Sequence, residues 1–234
     1  MAQTQNSNVV FVMPAFNEEK VIFNSIQPLT LAGHKVVCID DCSTDKTSEE
    51  AVRAGAIVIR HFINSGAGAS LQTGFNFISK SETLFADYKY VVTFDADGQH
   101  SLADLENFIN AFRNNSELDI VLGSRFLGIK FQGPKIKFII LKTMASISKF
   151  TLGIKVTDRH NGYRVIKKDK LKNFHLVGPG YEHADEFLHA ITKNSLNYTE
   201  VPTHIIYSQY SLAKGQPLIN GFKMVIDRFL NGWQ

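Results

Sequence analysis

Five short apolar runs, each followed by polar or glycine residues, constrain the fold of this 234-residue chain most strongly. The runs occupy residues 9–13, 36–39, 56–59, 90–94 and 120–122. They are rich in β-branched residues, do not alternate with polar residues, and are separated by segments of helical periodicity. Such runs are typical of parallel strands that are buried on both faces. The sequence therefore predicts an α/β fold, a single domain with a mostly parallel central sheet covered by helices on both faces.

The helices between these strands are predicted from their capping residues and their apolar spacing. The first should begin near Glu18, and Pro28 should end or kink it because proline has no amide hydrogen. Thr44 and Asp45 can cap the second. The third carries Leu71, Phe75 and Ile78, and the fourth is expected over 102–112.

The composition narrows the class of protein. With 44% hydrophobic and 20% charged residues, the chain is typical of globular proteins. The net charge of +3 is too small to indicate a nucleic-acid partner. Cys38 and Cys42 form neither a disulfide framework nor a metal-ligand pattern. The first residues do not resemble a signal peptide, and no window approaches the ~18 apolar residues of a spanning helix. We therefore expect a cytoplasmic protein that reaches membranes only from the surface or through an integral membrane partner.

We find no repeat or linker, and we predict one domain over 1–234, whose residue pattern changes between a first half (1–123) and a second half (124–234). Between Asp119 and Asp158 there is no acidic residue but seven basic ones. These are Arg125, Lys130, Lys135, Lys137, Lys142, Lys149 and Lys155. An amphipathic basic helix is expected at about 134–150. It would either pack on the core with a solvated basic face or lie on an anionic membrane, where each basic residue adds about 1 kcal/mol.

Polar residues collect where the predicted strands end. Because parallel strands share one carboxyl edge, where ligands bind, these residues should lie close together. They include Asn17-Glu18, Asp40-Asp41, Asn64-Ser65-Gly66 and Asp95-Ala96-Asp97. The last group can present two carboxylates to Mg²⁺, which proteins hold with one or two carboxylates plus substrate phosphates. Gln99 and His100 follow at once, either as further ligands or as loop residues.

The glycines of 64–68 follow a predicted strand and precede a helix, so the backbone there can approach a phosphate or ribose closely. The loop lacks the dinucleotide-binding fingerprint, because Leu71 occupies the third glycine position, and it lacks the Gly-Lys-Ser/Thr of a P-loop. These absences count against dehydrogenases and NTPases.

Five motifs taken together resemble those of the family 2 glycosyltransferases of the GT-A fold, which is Rossmann-like. They occupy 12–19 (VMPAFNEE), 39–47 (IDDCSTDKT), 64–69 (NSGAGA), 94–100 (FDADGQH) and 123–126 (GSRF). The resemblance is strongest to the dolichyl- and polyprenyl-phosphate sugar synthases and related polysaccharide-biosynthesis transferases. It continues more loosely through 157–164, 181–186 and 200–202.

The resemblance implies a donor site and a metal site, with 1–123 as the nucleotide-sugar-binding half and 124–234 as the acceptor-side half. Residues expected to contact the nucleotide sugar are Pro14, Ala15, Glu18, Asp41, Asn64, Gly66 and Asp95, with Asp41 reading the base. Asp95 and Asp97 would hold Mg²⁺ or Mn²⁺ against the diphosphate, with Gln99 close by as a further ligand. Many relatives carry a basic residue where this chain has Ala67, and this departure leaves the details of the phosphate or base contact open.

The resemblance leaves two acceptors open. Arg125 and Arg164 match basic positions that face the acceptor phosphate in lipid-phosphate relatives. Asp185 and Glu186 fall where relatives that act on hydroxyls keep a catalytic base, or they form a solvated helix face. The first reading is transfer from a nucleotide sugar to polyprenyl phosphate with inversion. The second is transfer to a hydroxyl of a lipid-linked or cell-surface polysaccharide.

Other classes are weaker alternatives. A catalytically silent nucleotide-sugar-binding subunit would not need the intact Asp95/Asp97 pair. A nucleotidyltransferase would need a glycine- and basic-rich loop directly after the first strand, which is missing. The sugar and the nucleotide stay open, because an aspartate can accept hydrogen bonds from uracil, thymine or guanine.

Overall fold

The computed structural model describes residues 8–128, 153–178 and 182–206. Several predictions lie outside these residues: the helix at 134–150 and the basic residues Lys130, Lys135, Lys137, Lys142 and Lys149. Tyr181, the first residue of the motif at 181–186, also lies outside them.

A seven-stranded sheet forms the centre of the described residues. Its strands are β1 (Val9–Ala15), β2 (Lys35–Asp40), β3 (Ile57–Arg60), β4 (Tyr90–Thr93), β5 (Ile120–Ser124), β6 (Arg164–Lys167) and β7 (Tyr198–Pro202). Their spatial order is β3-β2-β1-β4-β6-β5-β7. All neighbouring pairs are parallel except those of β6, which runs antiparallel to β4 and β5. The predicted mostly parallel sheet is confirmed.

Helices cover both faces of this sheet. They are α1 (Ile22–Leu31), α2 (Thr47–Arg53), α3 (Gly66–Lys80), α4 (Leu105–Asn114) and α5 (Glu182–Lys193), with 3₁₀ helices at Leu102–Asp104 and Lys168–Asn173. Side chains of α1, α2 and α4 pack with Phe11 on one face, whereas those of α3 and α5 pack with Val12 on the other. Phe11 and Val12 are adjacent in β1 and point to opposite faces, as the strand geometry requires. The predicted layers are therefore confirmed.

Pro28 neither ends the first helix nor prevents its last turn. The helix continues to Leu31, because Ile26 and Leu29 are buried in the core. The helix ends at Leu31, and Gly33 then turns the chain with a φ of 84°, which glycine adopts readily, while its amide donates to the Thr30 carbonyl. Of the two predicted effects of Pro28, termination of the helix is wrong, since tertiary packing outweighs one lost hydrogen bond, and the kink stays a prediction.

The antiparallel strand β6 brings the second half of the chain to the carboxyl edge of the sheet. Arg164, the first residue of β6, pairs with Thr93 of β4 and Leu122 of β5. Residues 160–163 therefore lie beside the residues that directly follow β4. None of the helices in the three described segments could cross a bilayer.

Candidate active site

Asp95 lies just beyond β4, with its carboxylate packed against the backbone of Gly162. A Cβ added to Gly162 would overlap both carboxylate oxygens of Asp95. Thr93 donates from Oγ1 to the Gly162 carbonyl at 2.5 Å, which holds this approach. His100 Nε2 lies 3.0 Å from Asp95 Oδ2. Burial opposes ionisation of Asp95, but His100, Arg164 and His183 outweigh it and lower its pKa to about 2. Asp95 is therefore an anion at neutral pH.

Asp97 has the opposite electrostatic character. Burial and then the negative charge of Asp95 raise the pKa of Asp97 to about 6, and Glu18 adds to this repulsion. The Gln99 amide nitrogen donates to Asp97 Oδ1 at 3.0 Å, and Gln99 Nε2 lies 2.7 Å from Oδ2. In this arrangement Gln99 supports Asp97, and its role as a ligand stays a prediction.

The Asp95–Asp97 pair fits a hard divalent cation. Two carboxylates that repel each other at one strand end would both be stabilised by a cation, and their oxygens are the ligands that Mg²⁺ and Mn²⁺ prefer. Across 8–128, 153–178 and 182–206, no group of three His, Cys, Asp or Glu residues could enclose a metal. Substrate phosphates and water would therefore complete the coordination, as is usual for Mg²⁺.

The two loops after β1 and β2 are locked together by side-chain hydrogen bonds. Asn17, with a φ of 54°, donates its amide to Ser43 Oγ at 2.9 Å and accepts from the Thr44 amide at 2.8 Å. Glu18 is buried and donates its amide to Thr47 Oγ1 at 2.8 Å. Pro14 and Ala15 form the end of β1, directly before this junction. These expected donor contacts therefore share the edge with Asp97.

Asp41 holds the first turn of α3. Its Oδ1 accepts from the Ser65 amide at 2.9 Å and lies 2.8 Å from His61 Nδ1, while Oδ2 accepts from the Gly66 amide at 2.7 Å. His61 is oriented in turn by Thr73, 2.9 Å from Nε2. Asp41 therefore fixes the glycine loop that begins at the exposed Asn64. Its reading of the base stays a prediction, and most of its acceptor capacity already serves this loop.

A cluster of cationic side chains adjoins Asp95. Arg125 is bound by Asp158, with Nε 2.6 Å and the backbone amide 3.0 Å from Oδ2. Arg164 is buried, and its guanidinium carbon lies 4.2 Å from the ring centre of Phe187. Burial lowers the pKa of Arg164 to about 10 although Asp95 and Asp158 oppose this, so it stays charged at pH 7.

The pKa of His160 is affected by the positive charges of this cluster. Burial, then the charges of Arg159, Arg125, Arg164 and His183, lower the pKa of His160 to about 3. Three arginines, from β6 and from the ends of the connection between β5 and β6, therefore act on one buried point. Asp158 and Asp185 offset the charges of Arg125 and Arg159 in part, and Arg164 adjoins Asp95.

Both acids proposed as catalytic bases have partners within the protein, and their role as bases stays a prediction. Asp185 is buried and is the ion-pair partner of Arg159. Glu186 accepts through one oxygen from the amides of Val177 and Gly178, at 2.9 and 3.0 Å. Each carboxylate thus already has a structural partner.

Sequence reasoning passed over Asp158, Arg159 and Gly162. All three lie in the stretch 157–164, from which only Arg164 was selected. The available signal was the density of charged residues directly before a strand, together with a glycine two residues before the arginine. The pairing of Arg159 with Asp185 spans 26 residues, and no local pattern indicates it.

Solved structures place this architecture in a known class. The protein is similar to a glucosyl-3-phosphoglycerate synthase from Mycobacterium tuberculosis, crystallised with Mn²⁺ and uridine-diphosphate-glucose, with a TM-score of 0.64 and 19% identity over 95% of this chain and 78% of the other. The mostly parallel sheet and its helical layers are those of a GT-A glycosyltransferase fold.

Sequence comparisons then give the family. Residues 10–174 match the family described as "Glycosyl transferase family 2". The chain is 34% identical to a UDP-N-acetylglucosamine–dolichyl-phosphate N-acetylglucosaminyltransferase of Methanococcus voltae, over 92% of each protein. It is 37% identical to an uncharacterised protein of Methanocaldococcus jannaschii, over 94% of this chain and 90% of the relative. A polyprenol monophosphomannose synthase of Mycolicibacterium smegmatis is 24% identical over 87% of this chain and 79% of the relative. The chain belongs to glycosyl transferase family 2 and is a glycosyltransferase.

Proposed function

We propose that this glycosyltransferase moves a sugar from a nucleotide diphosphate sugar to a polyprenyl phosphate at the cytoplasmic face of a membrane, with inversion at the anomeric carbon. The observation that carries the proposal is the arginine cluster beside Asp95, combined with the engagement of both candidate bases. A phosphate acceptor requires cations to hold it and no base to deprotonate it. A hydroxyl acceptor requires the reverse.

The named relatives support the same substrate classes. Those of Methanococcus voltae and Mycolicibacterium smegmatis carry names that describe transfer to dolichyl phosphate or synthesis of a polyprenol phosphate sugar. The first also names UDP-N-acetylglucosamine as its donor. That sugar nucleotide is therefore the first donor to assay, followed by other UDP, dTDP and GDP sugars.

On the donor side, the residues of the first half would bind and orient the nucleotide. Pro14, Ala15 and Glu18 would line one wall of the donor site, and Asn64 and Gly66 would line the other, in the loop whose amides donate to Asp41. Fixing the diphosphate in this way places the anomeric carbon for in-line attack, and orientation alone can contribute a large share of rate enhancement.

A Mg²⁺ or Mn²⁺ ion held by Asp95 and Asp97 would supply positive charge next to the leaving diphosphate. Asp95 is suited to this role because it is ionised, and Gly162 and His100 fix its position. Asp97 would ionise fully when a cation offsets the repulsion from Asp95.

On the acceptor side, Arg125 and Arg164 would hold the lipid phosphate. Guanidinium groups bind phosphate oxygens in a bidentate manner and keep their charge. Asp158 and Phe187 orient them, since the first binds Arg125 and the second stacks on Arg164. The arginines would also offset the repulsion between the acceptor phosphate and the donor diphosphate, which must approach each other for transfer.

The test is a donor screen with purified protein, Mn²⁺ and a short-chain polyprenyl phosphate. We expect nucleotide release that depends on polyprenyl phosphate, with formation of a polyprenyl-phosphate sugar. Release that depends instead on a saccharide-bearing lipid, with no product on polyprenyl phosphate, would favour the hydroxyl acceptor. EDTA should stop the reaction, and Mg²⁺ or Mn²⁺ should restore it.

A further inference from the structure

Three successive backbone amides, those of Leu176, Val177 and Gly178, are held by side chains from two different helices. Gln72 of α3 accepts from the Leu176 amide through Oε1 at 2.8 Å. Glu186 of α5 accepts from the next two amides through Oε2, at 2.9 and 3.0 Å. We call residues 176–178 the bridging loop. Its position is therefore set by α3 and α5 together.

The bridging loop is in direct contact with the first turn of α3, which carries the expected donor-binding residue Gly66; we call this turn and the loop before it the donor edge. A Cβ added to Gly68, in the first turn of α3, would lie 2.6 Å from the Gly178 carbonyl oxygen and 2.9 Å from His183 Cβ. Real Cβ atoms do not approach other atoms so closely, so the backbones of the first turn of α3 and the bridging loop are in contact only because residue 68 is glycine. The same turn begins at Gly66, whose amide Asp41 holds.

The amino-terminal half of α5 meanwhile contacts the arginine cluster. Asp185 binds Arg159, and the ring of Phe187 stacks on Arg164. Glu186 lies between these two residues and points to the bridging loop instead. Through three adjacent side chains, α5 thus contacts both the acceptor arginines and the loop that packs on the donor edge.

We infer that Glu186 is a positioning residue: its carboxylate holds the bridging loop against the first turn of α3 and so fixes the donor edge relative to the arginine cluster. This inference rests on the proposed reaction for its kinetic readout, but not for its structural one. Glu186 has no part in proton transfer. The positioning role requires only an oxygen atom that accepts hydrogen bonds from the amides of Val177 and Gly178, and glutamine also provides one.

The kinetic experiment compares Glu186→Gln with Glu186→Ala in the full chain. Glutamine keeps a carbonyl oxygen for the two amides, so kcat and the donor KM should stay within about threefold of wild type. Alanine leaves both amides without their acceptor, and the donor KM should rise about 10- to 100-fold, as expected for the loss of two hydrogen bonds. Gly68→Ala should raise the donor KM in the same way, since it pushes the bridging loop away. Glu117→Ala, an exposed glutamate at the opposite edge of the sheet, is the matched control.

The structural experiment is residue-resolved amide hydrogen exchange. The amides of Val177 and Gly178 should be protected in wild type and Glu186→Gln, and should exchange faster in Glu186→Ala. The Leu176 amide should respond instead to Gln72→Ala. Binding of UDP, measured by calorimetry, should weaken in Glu186→Ala and not in the Glu117→Ala control.

The outcomes separate this inference from the proposed reaction. If kcat of Glu186→Gln falls ~10²-fold or more while both amides stay protected, Glu186 is a general base and the positioning role is overturned. Unprotected amides in wild type, or unchanged UDP affinity in Glu186→Ala, would also overturn it. If wild type transfers no sugar to any polyprenyl phosphate, the proposed function fails, yet the exchange and UDP measurements still decide the role of Glu186.

Discussion

Asp97 combines a raised pKa with a position at the diphosphate end of the expected donor site. Burial and the charge of Asp95 bring its pKa to about 6, so a bound cation would stabilise its ionised form strongly. An amide in its place would lack this charge while keeping nearly the same shape. The residue is therefore suited to a function that depends on charge.

We predict that Asp97→Asn nearly abolishes transfer while leaving the fold intact. Loss of a charged ligand should cost ~3 kcal/mol or more of transition-state stabilisation, by analogy with other lost electrostatic groups. The measurement is kcat/KM across a Mn²⁺ titration, with thermal unfolding as the control for folding. Full activity of this variant in the presence of EDTA would contradict both the metal site and the role of Asp97.

His160 makes stability depend on pH. In the folded state its pKa is lowered to about 3, by burial first and then by Arg159 and Arg125. In the unfolded chain the pKa returns to ~6.5. The unfolded state therefore binds the proton between these two values, and the contribution of His160 to stability is lost as the pH falls below ~6.5.

The corresponding measurement is the free energy of unfolding in urea at pH 7 and pH 5. For His160 alone, the expected loss between these pH values is about 2 kcal/mol. His160→Gln has no such titration, so its pH dependence should be smaller by about that amount. An equal loss of stability in wild type and variant would show that His160 does not stay neutral in the folded protein.

At the scale of elements, the local sequence pattern was sufficient to predict a strand or helix wherever the residues of that segment carry the pattern themselves. The runs 9–13 and 36–39 were predicted as strands because they are apolar on both faces, and both lie within longer observed strands. The strand β6 has only two apolar residues between Arg164 and Lys167, and β7 mixes tyrosine, glutamate and proline. These two segments are strands because they pair with β4 and β5. The residues of β6 and β7 alone do not predict this pairing.

The residues of the site also divide into those that the sequence pattern predicted and those that depend on tertiary contacts. The grouping of Asp41, Gly66 and Asp97 followed from the rule that parallel strands end at one edge. The engagement of Asp185 and Glu186 could not be predicted, because their partners Arg159 and Val177 come to them through tertiary folding. Helical spacing alone does not distinguish an acid that faces a substrate from one that binds a backbone amide.

The basic segment after Arg125 carries an element-scale prediction. Because residues 120–157 contain seven basic and no acidic residues, we expect binding to vesicles of anionic lipid that weakens as salt is raised. The variant Lys135→Glu/Lys137→Glu/Lys142→Glu should lose this binding. A triple change of the exposed Lys80, Lys172 and Lys193 to glutamate alters the net charge equally and should retain most of it. Equal recovery with neutral and anionic vesicles at low salt would contradict the electrostatic part.

At the scale of the whole molecule, the two halves of the chain meet at one edge through β6. The first half supplies the loops after β1 and β2 and the acid pair, and the second half supplies Arg125 and Arg164. Since β6 pairs with β4 at Thr93, the distance between the two sets is fixed by the register of the sheet. A rigid arrangement of this kind suits a reaction that must bring two anionic phosphate groups together.

The choice between the two acceptors can be decided with Arg164→Ala and Asp185→Asn. If the acceptor is polyprenyl phosphate, Arg164→Ala should raise the acceptor KM or lower kcat by orders of magnitude, with donor binding little changed, because a charged bidentate partner of the phosphate is lost. Asp185→Asn should chiefly lower stability, since breaking a buried ion pair with Arg159 costs ~3–5 kcal/mol, and should leave kcat close to wild type below its unfolding temperature. Arg113→Ala, on the exposed surface of α4, is the control for arginine removal.

If the acceptor is a sugar hydroxyl, the ranking reverses, because base assistance contributes ~10²–10⁴-fold. A folded Asp185→Asn protein with kcat reduced to that extent, beside a nearly wild-type Arg164→Ala, would refute the polyprenyl phosphate acceptor.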